Sequence, residues 1–283
     1  MNYCFHYNKS NPHLLKATEW IFSYREDNPN LIMKMRSLKE EGATQRIIID
    51  ITEFGGEPNW DILSASVQEY PNSAILITKN QITLVPAIRL HNMKWFLING
   101  CYTWDMLKEC IDFGVTDVYI TNELGFDIKN VKSFCDKNNV KVRAYPNIAQ
   151  TSAQLLTLGN YKSFYIRPED VELYEQYIDV FEFFPNEEKE RVLYEIYENR
   201  EWRGDIHQLI LNLPFSRNLG ARNNYIPTIF GYSRLDCKKK CVYGNCQICD
   251  NCITAAQSIK ERRVEEINKL REEKQEDGET VKE

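Results

Sequence analysis

The sequence predicts a closed (β/α)8 barrel of the TIM-like kind, followed by a C-terminal cysteine-rich metal-binding extension. Two observations carry the barrel: short β-rich runs recur eight times between Tyr3 and Phe184, and helical segments separate the later ones. One observation carries the extension: five of the nine cysteines fall within sixteen residues, in DCKKKCVYGNCQICDNC.

The candidate strands are YCFHYN (3–8), RIIIDI (46–51), AILIT (74–78), WFLIN (95–99), DVYIT (117–121), KVRAYP (141–146), SFYIRP (163–168) and DVFEFF (179–184). They are rich in Ile, Val, Tyr and Phe, and most are bounded by turn residues. Between them TWDMLKECIDFG (103–114), DIKNVKSFCDKNN (127–139) and DVELYEQYI (170–178) read as helices. In the first, Trp104, Leu107 and Ile111 share one face and Gly114 supplies the stop. Thr103 and Asp127 are placed to cap. Alternating strands and helices imply a parallel sheet with right-handed crossovers. A doubly wound open sheet is the runner-up, but no G-x-G-x-x-G follows the first strand. Residues 9–45 are expected to include extra decoration.

The barrel is expected over residues 1–203, closing with a helix over 185–203 that Pro185 opens and acidic residues favour in its first turn. A loop-rich extension over 204–256 holds the cysteine cluster. Residues 257–283 start as a helix and end as a solvated, charged tail.

Hydrophobic residues make up 43% of the chain and charged residues 27%, the composition of a globular protein. No run reaches the ~20 apolar residues of a membrane span. MNYCFHYNKSNPH lacks the pattern of a signal peptide, so a cytoplasmic location is expected. The net charge of −6 argues against coating nucleic acid by bulk electrostatics. Residues 215–240 nevertheless hold six basic side chains against the single acid Asp236. Such a patch holds a phosphate or balances nearby thiolates.

Thiols this dense in a chain of this kind point to metal ligation over disulfides. Cys246, Cys249 and Cys252, with two residues between each and the next, match the close ligands of a ferredoxin-type four-iron four-sulfur (4Fe–4S) cluster, with Cys237 or Cys241 as the fourth. The competing site is tetrahedral zinc on the pairs Cys237/Cys241 and Cys249/Cys252. Unliganded thiols are the remaining reading.

Barrel chemistry sits at the C-terminal ends of strands. That rule selects Asp50, Glu53, Asn99, Glu123, Arg143, Asn147, Arg167, Glu169 and Glu182. Arg143 and Arg167, on consecutive predicted strands, are candidates to anchor an anionic group. Glu123 and Glu182 are the candidate acid/base residues, Glu182 facing the lumen between Phe181 and Phe183. The bland alternative is that these arginines bridge Glu123, Glu169 or Glu182. His6, His13, His91 and His207 show no metal-binding spacing, so packing or surface roles are expected of them.

GVTDVYITNELGF (114–126) and VKVRAYPN (140–147) resemble the barrel of the U32 peptidase-like family, over about residues 95–184. The resemblance implies an iron–sulfur-bearing barrel of a kind that supports hydroxylation of RNA or quinone precursors. The chain departs from that family after the eighth predicted strand, where Phe184-Pro185-Asn186 replaces a Gly-Ser/Ala-x-Cys segment. The barrel and the cluster therefore carry over, and peptidase activity does not. A fainter resemblance, to tRNA-guanine transglycosylases, lacks their Cys-x-Cys-x-x-Cys spacing, later histidine and Asp-Ser-Gly-Gly segment.

The resulting expectation is a U32-like enzyme that modifies a nucleic-acid base or small heterocycle, with RNA, DNA or a nucleobase-containing molecule as partner and no membrane. A zinc-stabilised nucleobase transferase and a non-catalytic binding or assembly module are the alternatives.

Overall fold

The computed structural model describes residues 2–6, 18–24, 31–40, 45–70, 72–101, 103–120, 122–147, 165–183, 190–210 and most of 261–273. Eight parallel strands close on themselves in sequence order: β1 (Tyr3–His6), β2 (Glu19–Ser23), β3 (Arg46–Asp50), β4 (Ala74–Ile77), β5 (Lys94–Cys101), β6 (Asp117–Ile120), β7 (Lys141–Ala144) and β8 (Val180–Glu182). The helices around them are α1 (Leu31–Glu40), α2 (Trp60–Glu69), α3 (Val85–Leu90), α4 (Trp104–Asp112), α5 (Asn122–Phe126), α6 (Ile128–Lys137), α7 (Val171–Tyr174), α8 (Glu190–Asn199) and α9 (Ile206–Leu209). Closure is direct, since β1 pairs with both β2 and β8. The barrel expectation holds. The cysteine extension and the proposed 204–256 module fall almost wholly outside the described residues.

Two strand assignments change. The expected decoration before residue 45 contains β2, in register with β1 and β3. The expected strand at 163–168 is not among the eight: β7 pairs directly with β8 through Arg143 and Val180. Tyr165–Arg167 instead lies beyond the end of β7, where Ile166 N donates to Pro146 O at 3.1 Å. The next residues, Pro168–Asp170, form a 3-10 turn.

Helix stops explain how the chain re-enters the sheet. Asn92, Gly114 and Asn139 follow α3, α4 and α6 with positive φ of 55°, 81° and 56°. The following amide then reaches back five residues in each case, as in Met93 N to Ile88 O and Val140 N to Cys135 O. This is the left-handed stop that satisfies the last carbonyls of a helix. Thr103 caps α4 as expected, accepting from Met106 N. Asp127 occupies the cap position of α6 without capping it; its carboxylate takes Trp104 Nε1 and Asn130 Nδ2 instead.

Side chains alternate between two faces of each strand. Outward, Tyr3 and Phe5 of β1 pack with Phe183 and with Tyr194 of α8 in ring contacts of 5.0–6.1 Å, sealing the first and last strands. Inward, the same period selects Cys4 and His6, Glu19, Arg46 and Asp50, Asp117 and Tyr119, Arg143, and Glu182. Barrel interiors are ordinarily filled by branched aliphatic layers. This one is strongly polar.

Candidate functional site at the C-terminal mouth

The lower lumen is an ion lattice. Glu19, Arg46, Asp117 and Lys141 are the first residues of β2, β3, β6 and β7, so closure brings them together at the N-terminal end. Arg46 grips Asp117 with both terminal nitrogens at 2.7 and 2.8 Å and reaches Glu19 at 3.3 Å. Lys141 Nζ donates to Glu19 Oε1 at 2.9 Å. Arg143, wholly buried, sits one step higher and donates to Glu19, to Asp117 at 3.2 Å and to Glu182 Oε2 at 2.9 Å. Its guanidinium also lies 5.1 Å and 5.4 Å from the ring centres of Phe96 and Tyr119, within cation–π range.

The electrostatics follow from this matching. Burial pushes the Glu19 carboxyl up, but Arg143, Arg46 and Lys141 outweigh it and hold the group at about 2. Burial likewise opposes ionisation of Asp117, and Arg46 and Arg143 hold it below the usual carboxylate range. Arg143 is pushed above its ordinary value because Glu19 and its other neighbours overcome the cost of burial. Three basic side chains (Arg46, Lys141 and Arg143) and three carboxyl groups (Glu19, Asp117 and Glu182) therefore fill the lower and middle lumen.

Glu182, at the C-terminal end of β8, links this lattice to the mouth. Its Oε2 accepts from Tyr119 at 2.6 Å and from Arg143, while Oε1 lies 4.0 Å from His6 Nε2. That nitrogen is shielded from solvent and makes no hydrogen bond among the described residues. Asp50, at the end of β3, accepts from Thr52 N at 2.8 Å. Its carboxyl is raised by burial and further by Glu182, against the lowering influence of Thr52 and His6. Tyr145 stacks on Tyr119 at 4.8 Å with rings 6° from parallel. Burial and the charge of Glu182 push both hydroxyls up, keeping them as donors. Cys4 is buried beside Glu182, and burial raises its thiol well above the ordinary range.

The expected site residues separate. Arg143 and Glu182 meet, as the bland reading of Arg143 required, but Glu19 and Asp117 are equally its partners. Arg167 is not on a strand next to that of Arg143. It precedes the 3-10 turn, and its Nε and a terminal nitrogen clasp Asp170 at 2.7 Å each, both side chains buried. Each arginine thus already carries a carboxylate. Glu169 caps a different contact, accepting from Trp202 N at 2.8 Å. Glu123 falls in α5 directly after β6, and its side chain lies outside the described residues, as do Cys237, Cys241, Cys246, Cys249 and Cys252. No group of three or more His, Cys, Asp or Glu placed to hold a metal occurs among the described residues. No helix among them is long and apolar enough to cross a membrane.

Sequence reasoning missed His6, Glu19, Arg46, Asp117, Tyr119 and Tyr145. The available signal was parity: Arg46 and Asp50, Asp117 and Tyr119, and Lys141, Arg143 and Tyr145 are polar residues at even spacing within apolar strands. Even spacing puts them on one face, and in a closed barrel the shared face is the lumen.

Fold and lumen together define the class: a parallel eight-stranded β/α barrel with a charged, acid-lined interior. No family model matches the chain, and no curated protein matches it.

Proposed function

We propose that the chain is an enzyme of U32-like type that modifies a nucleobase or small heterocycle at the C-terminal mouth of the barrel. The observation that carries this reading is Glu182. It is a buried carboxylate at the end of a barrel strand, with one oxygen held by Arg143 and Tyr119 and the other turned toward His6. A carboxylate fixed by donors on one side and beside an imidazole on the other is equipped to move a proton. Arg143 acts as the support of Glu182 in this reading, and Arg167 shapes the loop beyond β7. Glu123, following β6 at the same end, remains a second candidate acid/base group.

Four of the five clustered cysteines hold a 4Fe–4S cluster (Cys246, Cys249 and Cys252 with Cys237 or Cys241) or zinc (Cys237, Cys241, Cys249 and Cys252) in the C-terminal segment. Their donor chemistry and two-residue spacings support this. RNA or DNA is the partner favoured by the basic stretch before them.

The test pairs metal with activity. The full chain, purified anaerobically, is expected to carry iron with broad visible absorption, and Cys249→Ala to lose both. Nucleosides from RNA of a host expressing the chain are compared by mass spectrometry with those from a host expressing Glu182→Gln. A modified nucleoside present only with the unaltered chain is expected. One zinc without iron removes the redox reading, and identical nucleoside profiles remove the catalytic one.

A further inference from the structure

Tyr119 and Tyr145 form a closed pair in the upper lumen. Tyr119 lies on β6 and Tyr145 directly after β7, the neighbouring strand, and both are buried. Their rings stack 4.8 Å apart and 6° from parallel. Tyr119 Oη donates to Glu182 Oε2 at 2.6 Å, and the Tyr145 hydroxyl bonds to both Glu182 and Tyr119. Phe96 and the Arg143 guanidinium close in on the Tyr119 ring, at 6.0 Å and 5.4 Å from its centre. Two phenols and one carboxylate are thus fully engaged with each other, out of reach of a ligand. What remains open to such a cluster is the exchange of an electron.

Burial and the charge of Glu182 keep both phenols protonated, so neither gives up its proton alone. Loss of an electron from the ring makes the same hydroxyl a strong acid. The 2.6 Å bond, of the length typical of a hydroxyl on a carboxylate, already places an acceptor where that proton must go. The surrounding charges favour the coupled step. The carboxyl groups of Glu19, Asp50, Asp117 and Glu182 face three basic groups, those of Arg46, Lys141 and Arg143. An electron that leaves while its proton stays on Glu182 removes one negative charge from this acid-rich lumen and relieves the repulsion between Glu182 and Asp50. Arg143 near the ring opposes the step, but Glu19 and Asp117 still compensate it once Glu182 is neutral. Exclusion of water protects a reactive intermediate formed there.

We propose that Tyr119, Tyr145 and Glu182 are a redox-active unit that stores one oxidising equivalent inside the barrel as a tyrosyl radical, formed by a one-electron oxidant of the organic-radical or high-valent-metal class. In the forward step the Tyr119 ring gives one electron to the oxidant, which is reduced by one electron. The Tyr119 O–H bond breaks and an O–H bond forms on Glu182 Oε2, leaving a neutral radical beside a neutral carboxyl group. Exchange of one hydrogen atom across the hydroxyl–hydroxyl bond moves the radical to Tyr145 and restores Tyr119. Return of an electron, with the proton held by Glu182, closes the cycle. The inference stands apart from base modification, because it needs no substrate seated at the mouth.

The experiment oxidises the full chain with a photogenerated ruthenium(III) polypyridyl complex and follows it by electron paramagnetic resonance and infrared difference spectroscopy. A long-lived tyrosyl radical is expected. A carboxylic acid band is expected to appear with it, shifting in heavy water and on isotopic labelling of glutamate. This infrared readout is taken on the unaltered chain and does not depend on any variant folding. The chain has 16 tyrosines, so the signal is assigned with the double variant Tyr119→Phe/Tyr145→Phe, its fold checked by circular dichroism. Loss of the long-lived signal in that variant is expected. A radical that survives the double replacement, or that forms with no carboxylic acid band, overturns the assignment. So does an unaltered chain that yields only the short-lived signal of exposed tyrosines. No nucleoside enters the measurement, so these outcomes judge the tyrosine pair alone and leave the Glu182→Gln nucleoside comparison to judge the proposed function.

Discussion

Replacing Arg143 by methionine removes one of the three cations from the lumen while leaving all three carboxylates. The consequences can be followed carboxylate by carboxylate. Asp117 keeps Arg46 at 2.7 and 2.8 Å, and Glu19 keeps Lys141 at 2.9 Å and Arg46 at 3.3 Å. Glu182 keeps hydroxyl donors alone, Tyr119 at 2.6 Å and Tyr145, and no guanidinium or ammonium among its short contacts in the described residues. The variant thus concentrates its unmatched negative charge on a group that is 1% exposed. Breaking a buried pair in this way costs about 3–5 kcal/mol, a large share of the ~5–15 kcal/mol that holds a domain folded. Methionine retains the hydrophobic volume between Phe96 and Tyr119, so the loss reports charge and not a cavity. Urea unfolding at neutral pH, followed by circular dichroism, is the assay. The decisive comparison is the double variant with Glu182→Gln, which removes the stranded charge and is expected to recover about 1–3 kcal/mol. A single variant within about 1 kcal/mol of the unaltered chain, or a double variant no better than the single, would refute the lattice as a stabilising unit.

Other perturbations test the remaining parts. Because Glu19 is held at about 2 against an ordinary 4.5, its contribution is fully present above about pH 4.5 and is lost as pH falls toward 2. The shift corresponds to ~3 kcal/mol, and Glu19→Gln is expected to flatten the pH dependence of unfolding in that window. Asp50 is shifted the opposite way: its carboxyl is raised, so stability rises as pH falls through its folded value. Asp50→Asn is therefore expected to stabilise the protein at neutral pH by up to about 1 kcal/mol and to have no effect in acid, in calorimetric scans at several pH values. Gly114→Ala places a side chain at a φ of 81° and brings its Cβ to 3.2 Å from Arg89. A loss of about 1–2 kcal/mol in denaturant titration is expected.

What the sequence revealed and what it hid divide along a physical line. Local composition reports burial, and burial does not distinguish a strand from a segment packed beside one. Tyr165 and Ile166 are 1% and 0% exposed, as a strand would be, yet Ile166 gives its carbonyl to the Tyr197 hydroxyl and its amide to Pro146. In the opposite sense, β2 opens with Glu19, a residue that reads as a surface charge until Arg46, Lys141 and Arg143 arrive from strands 27 to 124 residues away. The helix stops were legible where glycine performed them, at Gly114, and silent where Asn92 and Asn139 did so. The barrel itself was legible because alternation of strands and helices is a local property. Arg143 was found as a candidate because it lies on a strand, but its partners could not be named, since they are set by closure.

Closure also decides how Glu182 differs from the other lumen carboxylates. Glu19 and Asp117 are each met by two or more cations and have no role left but to complete the lattice. Glu182 is met by one guanidinium, that of Arg143, and by the hydroxyls of Tyr119 and Tyr145, and stands where the lattice ends and the mouth begins. Its position is fixed from below by groups that cannot move without breaking several ion pairs, which is the preorganisation that a proton-transfer group requires. The two tiers should therefore respond differently to substitution. Changes at Glu19, Arg46 or Asp117 alter stability first and reach the mouth only through Arg143. Changes at His6, Ser23 or Asp50 leave the ion pairs of the lattice in place and act first at the mouth. Glu182 is the one residue expected to do both, and a variant series that failed to separate the tiers in this way would mean that the lumen is a single structural core.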